Sequence, residues 1–581
     1  MSTEQKPEAD TKSASSDGGA AAASEQVKRA LESALGQNVM GDFLPSDLVG
    51  TASDLWLRAA MQPLALAKAT LGFWSELAGV MTGSAEKREP EPGDRRFIDK
   101  AYQESAIYSR LLQTYLAWRS ALRGFADEAQ LNEKERFLLD QAIEAIAPTN
   151  TLLGNPVALR TALETKGGSL LQGAKNLVGD VRKGRPIPSQ VDDTAFEVGK
   201  NLAVSPGSVV LRTEMFELIQ YRAQTDKVHE RPILIVPSIV NKFYIFDIAP
   251  GRSIIEHYIK NGHTVFMLAW RNPQKRHDRW GMSDYQDSIE AAVDAAREIT
   301  GSPDVNMWAV CGAGPVAVSL IGYYAKKNAR KVNSLLLVVS PLDTKAMAQA
   351  PSLSAFAEPE NETARNLVRK VSRNKRISAN EFTLLFAMLR PNDLIWNYWV
   401  SNYLMGQTPS AFDVLYWNAD GTGMTAQFNH DFSRFVDENP FVTDGGMKMR
   451  DTAIAPLTDL GIDSYVLGAA TDHLCIWQSV YRSSQLLGER SQFILGNSGH
   501  IQTIVCPPSN AKASFFTNDS QPETAADWLA TATKNSGSWW DHGVAWTSAR
   551  AGELVDAPKT EGNAEFAPLC AAPGNYVHER G

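Results

Sequence analysis

The sequence has few cysteines and no long apolar run, and both absences narrow what the protein can be. Only four cysteines occur in 581 residues, and no two of them form a CxxC pair. This number and spacing argue against a disulfide framework and a cysteine-based metal site, and they fit a reducing cytoplasm. Apolar runs such as PILIVPSIV are too short to span a bilayer. We therefore expect a cytoplasmic protein with no metal site and no transmembrane segment.

Positively charged residues are fewer than negatively charged ones, with 57 Lys and Arg against 66 Asp and Glu. The net charge is −9 at pH 7, and the Lys and Arg residues are spread along the chain. Proteins that bind nucleic acid carry a clustered basic surface, so we expect no nucleic-acid partner. The first residues, MSTEQKPEADTKSASSDGGAAAASEQ, also lack the apolar segment of an export signal. We therefore expect that the protein is not exported.

Three regions differ in their sequence pattern. Residues 1–27 are rich in Ala, Ser and Gly and lack the apolar residues that offset ordering entropy, which predicts a disordered tail. Residues 28–200 are mainly helical in pattern, and NEKERFLLDQAIEAIA opens with a capping box of Asn132 and Glu135. In residues 201–581, short β-branched runs such as TVFMLAW and SLLLVVS alternate with helical patterns. This alternation predicts a catalytic domain with a mostly parallel sheet.

One cysteine lies where a strand passes into a helix. In VNMWAVCGAGPVAVSL, Cys311 occupies the apex of the turn, as the nucleophile does at the elbow of an α/β-hydrolase. Strand and helix backbones nearly touch there, and the small residues Ala309, Ala313 and Gly314 suit that approach. A lone cysteine is by default an inert core residue. The strand, turn and helix around Cys311 favour a nucleophile instead.

The partners of a nucleophile follow in the order expected for this fold, which is nucleophile, acid, then histidine. Asp472 follows the strand-like SYVLGAA, and His500 follows the strand-like FILG. His473 is the other candidate base, which we interpret as a neighbour of the site. Asp343, after SLLLVVSPL, is a rival acid. We prefer Asp472 because its strand directly precedes the histidine strand, and we expect Asp343 to cap the segment after it.

A cysteine nucleophile indicates acyl-thioester chemistry. A thiol that takes an acyl group from a CoA thioester forms another thioester, so the group stays activated for a later transfer. Such an acyl-enzyme must exclude water, which predicts a lid. Residues at about 345–450 interrupt the strand pattern and are interpreted as an inserted helical cap. We interpret the aromatic side chains of this insertion first as the core of the cap: Trp396, Tyr398, Trp399, Tyr403, Phe412, Tyr416 and Trp417.

Ordered segments along most of the chain resemble those of the polyhydroxyalkanoate synthases, the polyester-forming enzymes of bacterial storage granules. They include DRRFIDKAY, PTNTLLGNP, PSIVNKFYIFD, RPNDLIWNYWVSNYLMG, SGHIQTIV, SGSWWDHGVAW and PGNYVHER. The resemblance implies an α/β-hydrolase fold with an inserted helical cap and a helical N-terminal domain. It carries the catalytic cysteine, aspartate and histidine of the family over to Cys311, Asp472 and His500. It also implies a cytoplasmic enzyme on storage granules, whose partners are the granule surface, granule-associated proteins and a second copy of the chain.

The predicted activity is polymerisation of (R)-3-hydroxyacyl-CoA into polyester with release of CoA. His500 takes the proton of Cys311, and Asp472 orients the imidazole ring. The oxyanion is held by the backbone N–H of Gly312 and by that of Ile239 or Val240 in the loop after PILIVP. CoA is part of the substrate and leaves as product, so no cofactor is expected.

Two features depart from the family pattern. The family elbow usually reads GxCxGG, and this chain has AxCxAG. Each alanine adds a methyl group at a crowded joint, so reduced activity is one expectation. Ser238 stands where the family often has Pro. These sequence segments most resemble those of the family class that acts on medium-chain substrates with one type of subunit. The short-chain class with a single type of subunit shares many of the same segments.

Two other functions stay open on the sequence alone. One is a thioesterase or depolymerase with the same triad, which would yield free acid and which suits a cysteine less well. The other is a non-catalytic granule-associated relative whose altered elbow has lost activity. The complete set of Cys311, Asp472 and His500 argues against that second alternative.

Overall fold

The structure is a computed structural model that describes residues 61–91, 94–347 and 375–580. The predicted disordered tail lies outside these described residues. So do the first part of the predicted helical region and residues 348–374 of the predicted cap.

Helices dominate the described chain before the sheet. The predicted capping box is confirmed at one of them, because the Asn132 side chain accepts the N–H of Glu135 at 3.0 Å and Glu135 Oε2 accepts the N–H of Asn132 at 2.9 Å. Proline occupies the first helical position of two others, where its missing N–H costs no hydrogen bond. The helices of this region are Pro63–Thr82, Ala101–Glu104, Ala106–Glu128, Glu133–Ala145, Pro156–Glu164 and Gly168–Arg182.

The strands are numbered here in chain order. They are β1 Gly207–Arg212, β2 Phe216–Tyr221, β3 Lys227–His229, β4 Ile233–Val236, β5 Val265–Trp270, β6 Val305–Val310, β7 Val332–Val338, β8 Lys448–Met449, β9 Thr452–Ala453, β10 Asp463–Ala469, β11 Ser491–Gly496, β12 Ser514–Thr517, β13 Thr533–Ser536, β14 Leu554–Asp556 and β15 Cys570–Ala571.

Within the described ranges, eleven of these strands form one sheet in the order β13-β12-β11-β10-β7-β6-β4-β5-β2-β1-β15. The central strands from β5 to β11 pair in parallel, and the pairs outside them are antiparallel. The sheet is therefore mixed: the predicted parallel arrangement is confirmed for the central strands, and antiparallel strands, which the prediction of a mostly parallel sheet understated, extend both sides. Its central strands end at one edge, and this edge carries the candidate site.

The sheet is buried on both faces. The neighbouring residues Leu335 and Leu336 of β7 belong to two different apolar clusters, because side chains alternate between the faces of a strand. This is why the central strands read as continuous apolar runs. The flanking helices are Ile254–Lys260, Met282–Thr300, Gly314–Lys326, Trp477–Leu487, His500–Ile504, Ala525–Thr531 and Trp539–Ser548. Over the described ranges, no helix combines the length and apolar content that a membrane crossing requires.

An insertion separates β7 from β10. Its aromatic run does more than fill a cap core, since Trp399 Nε1 donates to the carbonyl of Asn150 at 3.1 Å and Tyr403 OH donates to Asp180 at 2.8 Å. These bonds join the insertion to the N-terminal helices, so the interpretation as cap core alone was incomplete. The described helical segments of the insertion are Thr344–Met347, Ala379–Leu389, Asp413–Ala419 and Ala426–Glu438, with π-helical turns at Asn392–Trp396 and Trp399–Leu404.

Candidate active site

Cys311 follows the last residue of β6 and begins a tight turn into the helix Gly314–Lys326. Its φ angle is 51°, in the left-handed region that residues with a side chain seldom adopt. Backbone strain of this kind concentrates at functional sites, because the surrounding structure must hold it in place. The turn therefore presents the thiol at the sheet edge.

Close packing holds this turn. The hydroxyl of Ser340 donates to the carbonyl of Cys311 at 2.7 Å. A Cβ on Gly314 would lie 1.9 Å from Ser340 Oγ, so only glycine fits there. Ala309 and Ala313 are both fully buried within one apolar cluster. The core therefore accommodates Ala309 and Ala313, the two residues at which this motif differs from the family pattern. The position in this turn that must be glycine is Gly314.

Asp472 and His500 meet on neighbouring loops. β10 and β11 are adjacent and parallel, so the loops that follow them leave the same edge of the sheet. The N–H of Thr471 donates to the carbonyl of Ser498 at 3.1 Å and ties these loops together. Asp472 Oδ2 lies 2.6 Å from His500 Nδ1, and both side chains are buried. The carboxylate therefore orients the ring and leaves Nε2 for the thiol.

The loop backbone also fixes the carboxylate. Asp472 Oδ1 accepts the N–H of Leu474 at 2.8 Å and that of Cys475 at 3.0 Å. Both carboxylate oxygens are thus engaged, one by the loop and one by the imidazole. Asp472 is held as an acceptor on both sides.

The surroundings favour the charged forms of Cys311 and His500. Burial opposes the charged imidazole, but the charge and hydrogen bond of Asp472, with the hydrogen bond to Cys311, raise the pKa of His500 to about 10. A hydrogen bond with Cys475 and the charge of His500 outweigh burial and hold the pKa of Cys311 well below its usual value. Both shifts favour a thiolate beside an imidazolium over a neutral pair.

Cys475 is not among the residues that the sequence pattern selects. It is 6% exposed, and its Sγ lies within 4.8 Å of both a carboxylate oxygen of Asp472 and a ring nitrogen of His500. Its hydrogen bond with Cys311, together with burial, raises the pKa of Cys475 well above its usual value, so it stays a protonated thiol. The available signal is its position in TDHLCIW, on the same strand-end loop as Asp472.

Asp343 and His473, the alternative acid and base, differ from Asp472 and His500 in their contacts. Asp343 accepts the N–H of Lys345 at 3.1 Å and the side-chain amide of Asn439 at 2.9 Å. It caps the short helix after β7 and makes no hydrogen bond to His500 within the described residues. His473 is partly buried, and burial lowers its pKa although the charge of Asp472 acts in the opposite direction.

The predicted oxyanion donors lie on two segments beside the nucleophile. Gly312 is the second residue of the elbow turn, and a Cβ there would meet nothing within 4 Å, so this side of the turn is open. Ile239 and Val240 lie in the loop after β4, which pairs with β6. Val240 and Cys311 pack against the same apolar cluster. The two segments therefore face a common region.

Comparison with known proteins finds relatives along nearly the whole chain. Residues 93–258 match the family described as poly-beta-hydroxybutyrate polymerase (PhaC) N-terminus, and residues 231–505 match the alpha/beta hydrolase fold. The second match confirms the predicted fold class and spans all three candidate residues.

Three relatives are similar over most of their own length. Poly(3-hydroxyalkanoate) polymerase 1 of Ectopseudomonas oleovorans is 42% identical over 96% of this chain and 99% of that protein. Poly(3-hydroxyalkanoate) polymerase 2 of the same organism is 40% identical over 94% of this chain and 97% of that protein. The poly(3-hydroxyalkanoate) polymerase subunit PhaC of Cupriavidus necator is 35% identical over 87% of this chain and 86% of that protein.

Proposed function

This chain belongs to the poly(3-hydroxyalkanoate) polymerase family and is an acyl-transferring polymerase, and from that premise we propose that it builds polyester from (R)-3-hydroxyacyl-CoA through an acyl thioester on Cys311. Membership of the family confirms the resemblance noted in the sequence. The observation that supports the proposed mechanism is the 2.6 Å contact between His500 Nδ1 and Asp472 Oδ2, at the sheet edge where the strained turn presents Cys311.

In the first step, the Cys311 thiolate attacks the carbonyl carbon of the acyl-CoA. The carbonyl electrons move onto oxygen, where the N–H groups of Gly312 and of Ile239 or Val240 stabilise the negative charge. The tetrahedral intermediate collapses, the bond to the CoA sulfur breaks, and the CoA thiolate takes the proton of His500. The enzyme then carries a hydroxyacyl thioester with no charge on its sulfur.

Acylation changes the state of His500. The thiolate that favoured the imidazolium is gone, and the imidazole has given up its proton, so His500 now serves as a base. It takes the proton of a hydroxyl group from another hydroxyacyl unit, and this oxygen attacks the Cys311 thioester. An ester forms, the Cys311 thiolate leaves, and the resting ion pair returns. Repetition of the two steps lengthens the chain without a cofactor.

We also propose that the enzyme works in the cytoplasm at the surface of a polyester granule. An apolar polymer separates from water and favours contact with exposed apolar side chains. The helix Pro63–Thr82 offers such side chains, since Leu64 is 86% exposed, Leu71 is 70% exposed and Trp74 is 59% exposed. Granule-associated proteins and a second copy of the chain are the further partners we propose.

The test supplies the purified full chain with (R)-3-hydroxybutyryl-CoA or (R)-3-hydroxyoctanoyl-CoA, measures CoA release, and sizes the extracted product. Release with high-mass polyester, absent in Cys311→Ala, supports the proposal and reveals the preferred chain length. Release with free hydroxy acid alone would identify the hydrolytic alternative. No release from either substrate would favour the non-catalytic one.

A further inference from the structure

We propose that Cys475 is a positioning residue whose thiol donates a hydrogen bond to the Cys311 thiolate and holds that nucleophile charged and aligned. The inference rests on the proposed function, in which Cys311 takes up the acyl group. It adds a fourth side chain to the set of Cys311, Asp472 and His500.

The loop after β10 places this thiol. The backbone N–H of Cys475 donates to Asp472 Oδ1 at 3.0 Å, while the other oxygen of the same carboxylate holds His500. One carboxylate therefore fixes both the imidazole and the second thiol. Cys475 Sγ lies within 4.8 Å of a carboxylate oxygen of Asp472 and of a ring nitrogen of His500, and Cys311 packs against the apolar cluster to which Cys475 belongs.

The surrounding charges decide which sulfur carries the proton. The charged or titratable groups that act on Cys311 are Cys475, the imidazolium of His500 and the more weakly acting carboxylate of Asp472. Cys475 has the Asp472 carboxylate beside it and is 6% exposed, so a second negative charge there would be repelled and poorly solvated. Cys311 is accordingly the thiolate, and Cys475 is the donor.

A donor in this position has a defined effect on the nucleophile. A thiol is a weak donor in water, but a hydrogen bond to a charged acceptor strengthens where water is excluded. The bond stabilises the thiolate relative to the thiol and restricts the direction of its free lone pairs. Loss of the donor should therefore raise the pH at which Cys311 becomes nucleophilic, which a residue that only fills space would not do.

The test measures how the rate of Cys311 alkylation by iodoacetamide depends on pH. Cys570 is only partly buried, so the modified Cys311 peptide is quantified by mass spectrometry. The full chain is compared with Cys475→Ala and Cys475→Ser, with a phosphine reductant present. The matched control is Cys506→Ala, because Cys506 is equally buried at 4% exposure and its thiol contacts Asn510 instead of the nucleophile.

We expect Cys475→Ala to raise the midpoint of the alkylation profile by about one pH unit. A shift of this size corresponds to the loss of one hydrogen bond to a charged group. Cys475→Ser keeps a donor and should restore most of this shift. Cys506→Ala should keep the parent midpoint. Should the alanine variant unfold, Cys475→Val fills the space without a donor and carries the same expectation.

Three results would overturn the inference: an unchanged midpoint in the folded alanine or valine variant, equal shifts with alanine and serine, or an equal shift in Cys506→Ala. Alkylation needs no acyl-CoA substrate. The alkylation profile therefore tests the role of Cys475, and the formation of polyester tests the proposed function independently.

Discussion

At the scale of single residues, two aspartates follow neighbouring strands of one sheet and do different work. Asp472 follows β10 and bonds to His500, whereas Asp343 follows β7 and bonds to backbone N–H groups and to Asn439. Both lie at the edge where Cys311 is presented. Their hydrogen-bond partners, and not their proximity to the edge, distinguish them.

The residue-scale prediction is that Asp472→Asn slows CoA release from acyl-CoA by about 10² to 10⁴, whereas Asp343→Asn leaves the rate of the folded enzyme within about twofold. The asparagine at position 472 neither stabilises the imidazolium of His500 nor selects its productive tautomer. Initial rates at saturating substrate check this, with circular dichroism to verify folding. Equal losses in the two variants would mean that Asp343 supports the reaction as well.

The sequence supplies enough at this scale to select Cys311, Asp472 and His500. Cys311 directly follows a strand, Asp472 and His500 follow within a few residues of a strand end, and chain order alone assigns the roles. Cys475 is not selected by this reasoning, because its proximity to the His500 ring depends on the meeting of two loops that are distant in the chain. The segment TDHLCIW alone does not predict how close the Cys475 sulfur lies to that ring.

At the scale of elements, the insertion is held to the N-terminal helices by close backbone contact. The helix Gly168–Arg182 packs against the π-helical turn Trp399–Leu404. A Cβ on Gly173 would lie 1.9 Å from the carbonyl oxygen of Tyr403, and a Cβ on Gly179 of the same helix would meet nothing within 4 Å. The two glycines form a matched pair.

The element-scale prediction is that Gly173→Ala destabilises the protein by about 1 to 3 kcal/mol, since the added methyl forces the turn away from the helix. Gly179→Ala should be neutral or stabilising by about 0.5 to 1 kcal/mol, because alanine favours a helix interior. Denaturant unfolding of both variants measures the difference. If Gly173→Ala were as stable as Gly179→Ala, the close approach in the structure would be wrong.

Sequence pattern predicts elements better than it predicts their docking. Continuous apolar runs predict the central parallel strands because both faces of each strand are buried. The aromatic run of the insertion has no comparable signal for its partner. Trp399 bonds to a carbonyl 249 residues earlier in the chain, and the spacing of aromatic residues within one segment cannot reveal that contact.

At the scale of the whole molecule, the two-sided burial of the sheet also buries one ionisable side chain, His263. His263 precedes β5, is fully buried, and stacks on the His229 ring at a centroid distance of 4.6 Å. Its Nε2 lies 2.9 Å from Ser548 Oγ in the helix Trp539–Ser548, and its Nδ1 has no hydrogen-bond partner among the residues that the structure describes. Burial, with a smaller contribution from His229, lowers the pKa of His263 to about 3.

This pKa gives the folded protein a defined sensitivity to acid. The unfolded chain binds a proton at His263 below about pH 6.5, whereas the folded protein resists that proton until about pH 3. Stability from this group is therefore present above pH 6.5 and is lost as the pH falls through that window. We expect the parent protein to lose about 2 kcal/mol through this group between pH 7 and pH 5.

The molecule-scale prediction is that His263→Gln, which keeps a polar atom for Ser548 but takes no proton, reduces that pH-dependent loss by about 2 kcal/mol. The variant is expected to be less stable at pH 7, so the comparison is between the pH 7 to pH 5 differences and not between absolute stabilities. Denaturant unfolding at both pH values measures them. His578→Gln removes an exposed histidine and should retain the parent difference. The same pH-dependent loss in His263→Gln and the parent would show that His263 accepts its proton in the folded state, and the acid sensitivity would then have to arise from other buried groups.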